Sequence, residues 1–362
     1  MRTDLHTFGK RNKANGRARR SVGWFAVTFT LSQVAFFVAI EWATPRLRDP
    51  EFYLKLARLH MRHGERPRAP LVLALGSSRV YTGLRVQALA DSVAAPAEPL
   101  LFNGGILGAG PLLQLLALDR MLRNGERPDA VLIEFWPPLL ADGAWCDEEK
   151  RIAANRLNLR DLEVVTRHAA EPDRLRSAWR EARRVPAYGQ RFVLRGLTVA
   201  PWDPFNRRLS SVWEGMDHWG WQSEKERSDD PAVRASIMRL VKNHYGGGME
   251  RGRFGPLAVR TLEDLLVVCR RHSIPTAVIW MPEASEFRRW YAPETEAVAA
   301  ALLANWEVAH GVTIVNARTW LSDENFSDGF HLTPDGAVAF TKRFVRDVLP
   351  HWRDWRPPVY DP

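Results

Sequence analysis

The feature that most constrains how this chain folds is the alternation of short apolar runs with amphipathic segments from Leu71 onward. Apolar runs bounded by glycine or polar residues predict buried β-strands. The predicted strands are Leu71–Leu75, Leu100–Asn103, Ala130–Phe135, Thr276–Met281 and Thr313–Ala317. Helical spacing of apolar residues predicts helices over 84–93, 111–124, 257–272, 294–310 and 334–348. Strands that alternate with helices predict an α/β fold, with a mostly parallel sheet covered on both faces.

Polar and glycine-rich segments follow the first two predicted strands. Gly76-Ser77-Ser78 follows the first strand, and Asn103–Gly108 closes the second. A serine between a strand and a helix lies beside the helix N-terminus, where free backbone N–H groups can stabilise an oxyanion. The alternative is that Ser77 and Ser78 only cap that helix.

An aspartate and a histidine, Asp328 and His331, lie three residues apart near the C-terminus. They directly precede a helix start, with Thr333 as N-cap and Pro334 as the first helical residue. An imidazole held by a carboxylate is half of a hydrolytic triad. Ligands of parallel sheets bind beyond the carboxyl ends of the strands, so we expect Ser78 to lie at the same edge. The sequence predicts Ser78 as nucleophile, His331 as general base and Asp328 as the group that orients the ring.

The same three segments resemble the motif blocks of the SGNH (GDSL-type) hydrolase superfamily, which read Gly-Asp-Ser, Asn-x-Gly-x-x-Gly and Asp-x-x-His. The matching positions are Gly76-Ser77-Ser78, Asn103, Gly105, Gly108, Asp328 and His331. The resemblance spans Leu71 to about Val348.

This resemblance implies a flavodoxin-like three-layer sandwich that acts through a serine. It implies that the backbone N–H groups of Ser78 and Gly105 form the oxyanion hole. Asn103 becomes a candidate for contact with substrate. Neither a metal nor another cofactor is expected.

One block of the superfamily is missing, because no asparagine follows the third predicted strand. Glu134 ends that strand and could replace the asparagine only if protonated, so that it donates a hydrogen bond. The alternative is a salt bridge with a nearby arginine. Arg288 follows the fourth strand at the same edge, either as a ligand for an anionic substrate or in a surface ion pair.

The net charge of +9 is concentrated at the N-terminus. Residues 1–20 contain a single acid, Asp4, and many basic residues. The basic residues are Arg2, Lys10, Arg11, Lys13, Arg17, Arg19 and Arg20. The sequence contains no zinc-finger spacing and no RNA-recognition signature, so we expect no nucleic-acid partner.

The stretch Ser21–Ile40 contains no charged residue and is long enough to cross about 30 Å of hydrocarbon as a helix. Trp24 and Trp42 lie near its ends, as interfacial anchors do. We predict a basic cytoplasmic tail (1–20), a single-pass helix in the cytoplasmic (inner) membrane (21–42) and an extracytoplasmic, periplasmic domain (43–362). Membrane lipid is then a partner through residues 21–42. The alternatives are an amphipathic buried helix and a cleaved signal peptide.

The stretch from about 139 to 254 does not alternate and is rich in arginine and tryptophan. We interpret it as a helical cap inserted into the sheet domain. Its tryptophans either pack against the core or belong to a lid that selects substrate by binding sugar rings or the membrane surface. Cys146 and Cys269 could pair outside the cytosol, but two cysteines are too few for a disulfide framework, which favours free thiols.

The Gly-Ser-Ser block, the missing asparagine and the anchor resemble the envelope acyl-transfer branch, which includes the teichoic acid D-alanyl transfer protein and the alginate O-acetylation proteins. The resemblance implies a serine O-acyltransferase or esterase that acts on acyl esters of an envelope polysaccharide or glycolipid, with acetyl as the first candidate for the acyl group. An integral membrane acyltransferase is the expected acyl donor. The alternatives are a degenerate domain that binds glycan or scaffolds an envelope assembly, and a plain anchored esterase or lipase.

Overall fold

The computed structural model describes residues 5–89, 99–141, 148–149, 151–199, 211–224 and 226–355. Its centre is a five-stranded parallel sheet of strand order β2-β1-β3-β4-β5. The strands are β1 (Leu71–Leu75), β2 (Leu100–Asn103), β3 (Ala130–Glu134), β4 (Thr276–Trp280) and β5 (Thr313–Asn316). All five predicted strands and the predicted parallel sheet are confirmed.

Sixteen α-helices surround and extend this sheet within the described residues. In chain order, they are α1 (Leu5–Val38), α2 (Pro45–Arg48), α3 (Pro50–Glu65), α4 (Ser78–Gly83), α5 (Pro111–Arg123), α6 (Pro137–Leu140), α7 (Leu159–Arg167), α8 (Pro172–Arg184), α9 (Pro186–Gly189), α10 (Arg191–Val199), α11 (Ser211–Glu214), α12 (Pro231–Glu250), α13 (Pro256–Arg271), α14 (Ser285–Arg288), α15 (Pro293–His310) and α16 (Pro334–Asp347). Most of them begin with proline, whose fixed φ suits the first helical position and whose missing N–H costs nothing there.

Both faces of the sheet are buried, as its continuous apolar strands require. Leu71, Leu73 and Leu75 pack with α3, α5, α13 and α15 on one face. Val72 and Ala74 point to the other face and pack with α4 and α16. The sheet therefore has a helical layer on each side and a separate apolar core under each layer.

The strand order places one crevice at the carboxyl edge of the sheet. β1 pairs with β2 on one side and with β3 on the other, so connections leave β1 and β3 in opposite directions. Such a reversal is where open α/β sheets bind ligands. β1 and β3 are the two strands between which the reversal lies.

The predicted helix over 84–93 is not found over 84–89, the part of it that the structure describes. The helix begins earlier, at Ser78, because the Ser77 hydroxyl accepts a hydrogen bond from the backbone N–H of Arg79 at 3.2 Å and caps it. It ends at Gly83, and a 3₁₀ turn follows over Val86–Leu89. The remainder of the predicted helix lies outside the described residues.

α1 and the π-helical turn after it, Ala39–Ala43, together contain a stretch, Arg17–Trp42, that is long and apolar enough to cross a membrane by length and composition. The predicted membrane segment 21–42 falls inside it. A π-helical turn over Ala39–Ala43 joins α1 to α2. α2 and α3 then lead directly into the sheet domain.

Residues of the predicted cap form α7 to α12, with no strand in the described part of that range. An isolated antiparallel bridge between Ala141 and Phe254 joins the two ends of the range. Trp213 and Trp221 are buried, as the packing alternative predicts. Trp202 lies outside the described residues.

Cys269 is fully buried in α13, and burial raises the pKa of its thiol to about 12. It is free and fills the role of a small apolar side chain. Cys146 lies outside the described residues.

Candidate active site

Ser78 lies at the first position of α4, directly after the turn that ends β1. The turn requires glycine at position 76, because a Cβ there would lie 2.3 Å from Val80 Cγ2 and 2.8 Å from Glu134 Cβ. The Ser77 side chain is used in capping, whereas Ser78 is half-buried at the sheet edge. The two adjacent serines therefore have different tasks, and only Ser78 faces the crevice.

The structure brings Ser78, His331 and Asp328 together in one hydrogen-bonded chain. Ser78 Oγ lies 2.7 Å from His331 Nε2, and His331 Nδ1 lies 2.7 Å from Asp328 Oδ2. Both distances are those of strong hydrogen bonds. This is the arrangement of a nucleophile, a general base and an orienting carboxylate.

The loop that carries Asp328 and His331 is a tight hairpin held at both ends. Asp328 Oδ1 accepts hydrogen bonds from the backbone N–H groups of His331 at 2.8 Å and Phe330 at 3.2 Å. Gly329 has φ +96°, which only glycine adopts readily. The Thr333 side chain caps α16 by accepting from the N–H of Gly336 at 3.1 Å, as predicted.

The charges of the imidazole and the carboxylate shift each other's pKa. Burial by itself lowers the pKa of His331, but the charge and hydrogen bond of Asp328, with a smaller effect of Glu224, outweigh it and raise the pKa above 6.5. Burial by itself raises the pKa of Asp328, but His331 and the two backbone N–H groups outweigh it and lower that pKa. The Asp328 carboxylate therefore stabilises the imidazolium that forms when His331 takes the serine proton.

The backbone N–H of Gly105, predicted as an oxyanion donor, is directed elsewhere. It donates to Asn103 Oδ1 at 2.9 Å. Its neighbours Gly104 and Ile106 donate to the carbonyl oxygens of Ala74 and Gly76. Of the two predicted oxyanion donors, the Ser78 N–H is the one that remains available to a ligand. It lies in the first turn of α4, where N–H groups have no partner within the helix.

Asn103, predicted as a candidate for contact with substrate, is fully buried and serves the fold. Its Nδ2 lies 2.8 to 3.1 Å from the carbonyl oxygens of Val80, Tyr81 and Leu84. These carbonyls belong to the end of α4, where helices leave carbonyl groups without partners. Asn103 thus ends the nucleophile helix and at the same time binds the Gly105 N–H.

Glu134 is buried and accepts, at Oε2, a hydrogen bond from the Ser77 N–H at 2.5 Å. Its Oε1 lies 3.6 Å from Arg79 Nη1, so the salt-bridge alternative is confirmed. The two oxygens of Glu134 are thus directed at the turn before Ser78 and at Arg79. These are contacts of the salt-bridge alternative and not those of an oxyanion donor.

Arg79 extends this network beneath the nucleophile. It is 1% exposed, donates to the carbonyl oxygens of Met281 and Pro282 at 2.9 Å, and lies 3.6 Å from Glu283. Glu283 is fully buried and accepts from Trp136, Trp280, Tyr291 and Arg318. The helix that starts at Ser78 is thereby tied to the ends of β3 and β4.

Arg288, predicted either to bind an anionic substrate or to form a surface ion pair, is used inside the structure. Its Nη1 donates to the carbonyl oxygen of Glu283 and to that of Arg318, the latter at 3.1 Å. The guanidinium thus holds the loop after β4 against the loop after β5.

Tyr245, which sequence reasoning missed, reaches the site from α12 in the cap. Its ring centroid lies 5.2 Å from that of Phe330 and 4.9 Å from that of Trp136. Burial raises the pKa of its hydroxyl, Arg151 and Arg79 lower it, and Asp328 and Glu134 raise it. These charges surround the crevice, and no sequence motif marks a tyrosine in an insertion as their neighbour.

A groove of about 470 Å³ borders the loop of the triad. Ser327 and Gly329, which flank Asp328, form part of its wall. Arg227, Arg234, Arg239 and Lys242 line it, together with Trp290 and two acids, Glu286 and Asp323. Positive side chains therefore predominate around a groove next to the candidate active site.

No protein-family model and no curated protein matches the chain. Among the residues that the structure describes, no group of three or more His, Cys, Asp or Glu side chains could hold a metal ion. The chemistry of the site is thus inferred from its own geometry.

The raised pKa of His331 predicts how the reactivity of Ser78 depends on pH. Only the neutral imidazole accepts the serine proton, so labelling of Ser78 by a fluorophosphonate should rise with pH, with a midpoint above 6.5. Asp328→Asn removes the carboxylate charge that stabilises protonated His331, so the midpoint should move to lower pH. The labelling rate should fall by about 10³–10⁴-fold. Asp323→Asn, on the neighbouring loop, is the matched control. A midpoint unchanged in Asp328→Asn would contradict the assignment.

Proposed function

We propose that the protein is a membrane-anchored serine acyltransferase of SGNH type, which transfers an acyl group to an envelope polysaccharide or glycolipid. Acetyl is the first candidate for this acyl group. The observation that carries this proposal is the hydrogen-bonded chain from Ser78 through His331 to Asp328, with both links at 2.7 Å. The order β2-β1-β3-β4-β5 with helices on both faces is also the order that a flavodoxin-like sandwich requires.

The reaction begins when Ser78 Oγ attacks the carbonyl carbon of an acyl ester and His331 takes its proton. The tetrahedral intermediate collapses to an acyl-serine, and the imidazolium returns the proton to the leaving oxygen. A hydroxyl of the acceptor, deprotonated by His331, then attacks the acyl-serine and releases Ser78. Asp328 keeps the ring in one tautomer through both steps.

The oxyanion of both intermediates needs donors other than Gly105 and the missing asparagine. The Ser78 N–H supplies the first, at the positive end of α4. We propose the Tyr245 hydroxyl as the second donor, because its ring packs against Phe330, the neighbour of His331, and the charges of Asp328 and Arg79 act on its pKa. A tyrosine hydroxyl is protonated at neutral pH and can therefore donate.

The positive groove beside the triad supports a large, anionic acceptor. Four cationic side chains and Trp290 offer ion pairs to acidic groups and a stacking surface to sugar rings. A hydrolase of small esters does not need such a surface. The anchor in α1 would keep the domain at the outer face of the membrane, where an integral membrane acyltransferase is the proposed acyl donor.

A second candidate function is a degenerate domain that binds glycan or scaffolds an envelope assembly. The observation in its favour is that Asn103 binds the Gly105 N–H, which leaves the oxyanion hole short of a donor. The two candidates differ in whether Ser78 forms a covalent adduct.

Replacing the nucleophile separates these two functions. In Ser78→Ala, labelling by a fluorophosphonate probe should disappear and the O-acyl content of the envelope glycan should fall to the level of a deletion strain. Ser77→Ala is the matched control, because it removes only a helix cap worth about 1 kcal/mol and should retain labelling. An unlabelled wild-type protein, with unchanged glycan acylation in Ser78→Ala cells, would favour the scaffold.

Tyr245→Phe tests the proposed second oxyanion donor. The ring contacts with Phe330 and Trp136 stay in place, so the fold should be preserved. Loss of one oxyanion donor should reduce kcat about 10²–10³-fold with little change in KM for the acyl donor. Tyr188→Phe, at an exposed position, is the control. Wild-type kcat in Tyr245→Phe would exclude the assignment.

The groove is tested with the double variant Arg239→Ala/Lys242→Ala. Each exposed charge pair is worth about 0.2–1 kcal/mol, so KM for an anionic oligosaccharide acceptor should rise about two- to tenfold. Hydrolysis of a small neutral acyl ester should not change, because Ser78 and His331 are untouched. Arg176→Ala, which removes an exposed pair with Asp173, is the control. If neutral and anionic acceptors respond equally, the groove does not select charge.

A further inference from the structure

One face of the C-terminal part of α1 and of the π-helical turn after it is covered by the rest of the protein. Gln33, Phe36 and Phe37 are half-buried and Ile40 is buried, whereas Val34 and Val38 between them are exposed. The four covered residues have the spacing i, i+3, i+4, i+7 of a single helix face. This face therefore packs against protein, although it lies within the stretch that is apolar enough to span a membrane.

The partner of that face is the corner between α8 and α9. Arg183, near the end of α8, pairs with Glu41 at 2.7 Å. The backbone N–H of Ala187, in α9, donates to Gln33 Oε1 at 3.2 Å. Gln33 lies in α1 and Glu41 in the π-helical turn that follows it, so the corner contacts the N-terminal segment at two points eight residues apart.

These contacts also explain why a glutamine lies in an apolar helix. The N–H of Ala187 is in the first turn of α9 and has no partner within that helix. In hydrocarbon an unpaired N–H is costly, and Gln33 supplies the missing acceptor. The backbone of α9 therefore meets α1 well inside the predicted span.

The chain that follows exposes aromatic and basic side chains together. Tyr188 is 65% exposed and Phe192 is 57% exposed. Arg191 lies over both rings, at 4.0 Å and 4.5 Å from their centroids, and Arg184 and Arg195 are also exposed. Exposed aromatic rings beside arginines are typical of segments that lie in the headgroup region of a bilayer.

We propose that residues 185–199 form a second membrane contact, which lies in the interface of the leaflet where α1 leaves the bilayer. Tyr188 and Phe192 enter the boundary of the acyl chains, and Arg184, Arg191 and Arg195 bind the phosphates of anionic lipids. This inference rests on the proposed anchoring of α1, because the contact with Gln33 sets the depth of α9. The two contacts together prevent the domain from rotating freely on a single tether.

The test uses the full chain in liposomes of phosphatidylethanolamine and phosphatidylglycerol. Single cysteines replace Phe192, Val27 and Val308 in a Cys146→Ser background and carry a bimane label; Cys269 is buried and does not react. The label at position 27 tests whether the anchor lies in lipid. The label at position 308, where Val308 is 86% exposed on α15, is the reference for a position in water. Quenching by doxyl-labelled lipid is compared with quenching by iodide.

We expect lipid quenching of the label at position 192 to exceed that at position 308 at least threefold, and iodide quenching to show the reverse order. Water-like behaviour at 192 with lipid-like behaviour at 27 would overturn the second contact and leave the anchor intact. Water-like behaviour at both positions would overturn the anchor and the second contact together. Protection of position 192 from both quenchers would mean that a protein covers it, which also contradicts the inference.

The role of the arginines is tested by Arg184→Gln/Arg191→Gln/Arg195→Gln in the same labelled background. Lipid quenching at position 192 should fall at least twofold in the triple variant. It should also fall at least twofold in the labelled chain with unchanged arginines when phosphatidylglycerol is omitted. Arg174→Gln/Arg176→Gln, at exposed positions earlier in α8, is the matched control. Equal quenching in all four samples would show that the segment does not bind anionic lipid.

Discussion

The buried guanidinium of Arg79 is the group on which the geometry of the site depends. It lies between Glu134 and Glu283, each at 3.6 Å, and binds two carbonyl oxygens after β4. Removing one partner of a buried ion pair costs about 3–5 kcal/mol, because an uncompensated charge is left behind. Since Arg79 directly follows Ser78, this network holds the nucleophile at a fixed position between the ends of β3 and β4.

The same rigidity limits the oxyanion hole. Asn103 ends the nucleophile helix by binding three carbonyl groups, and its remaining oxygen binds the Gly105 N–H. One residue thus stabilises α4 and removes an oxyanion donor. The relay for the proton is preorganised, whereas in the proposed mechanism the negative charge is stabilised in part by Tyr245, a side chain from the cap. The inserted helices are then part of the proposed chemistry, which agrees with the packing of Tyr245, in α12, against Phe330 in the loop of the triad.

The sheet and the triad could be predicted from sequence because both follow from local patterns. Apolar runs locate strands, parallel strands bring their carboxyl ends together, and Ser78 and His331 follow two such ends. The contacts of Asn103, Glu134 and Arg288 could not be predicted in full, because each depends on partners far away in sequence that no pattern specifies. The helix after β1 lies earlier than expected, because Ser77 caps its start at Ser78 and Asn103, distant in sequence, binds the carbonyl oxygens at its end.

The proposed membrane contacts and the candidate active site are connected by a short path of packed elements. Glu41, in the π-helical turn after α1, pairs with Arg48 in α2 and with Arg183 in α8. In α3, Lys55 donates to the carbonyl oxygen of Gly105, in the loop beside Ser78. α2, α3 and β1 lie between the proposed anchor and the nucleophile. The bilayer would therefore hold Ser78 at a fixed distance from the membrane surface. An enzyme that hydrolyses freely diffusing esters gains nothing from this restriction. An enzyme that takes an acyl group from a donor fixed in the membrane gains orientation at each encounter, which favours transfer over hydrolysis.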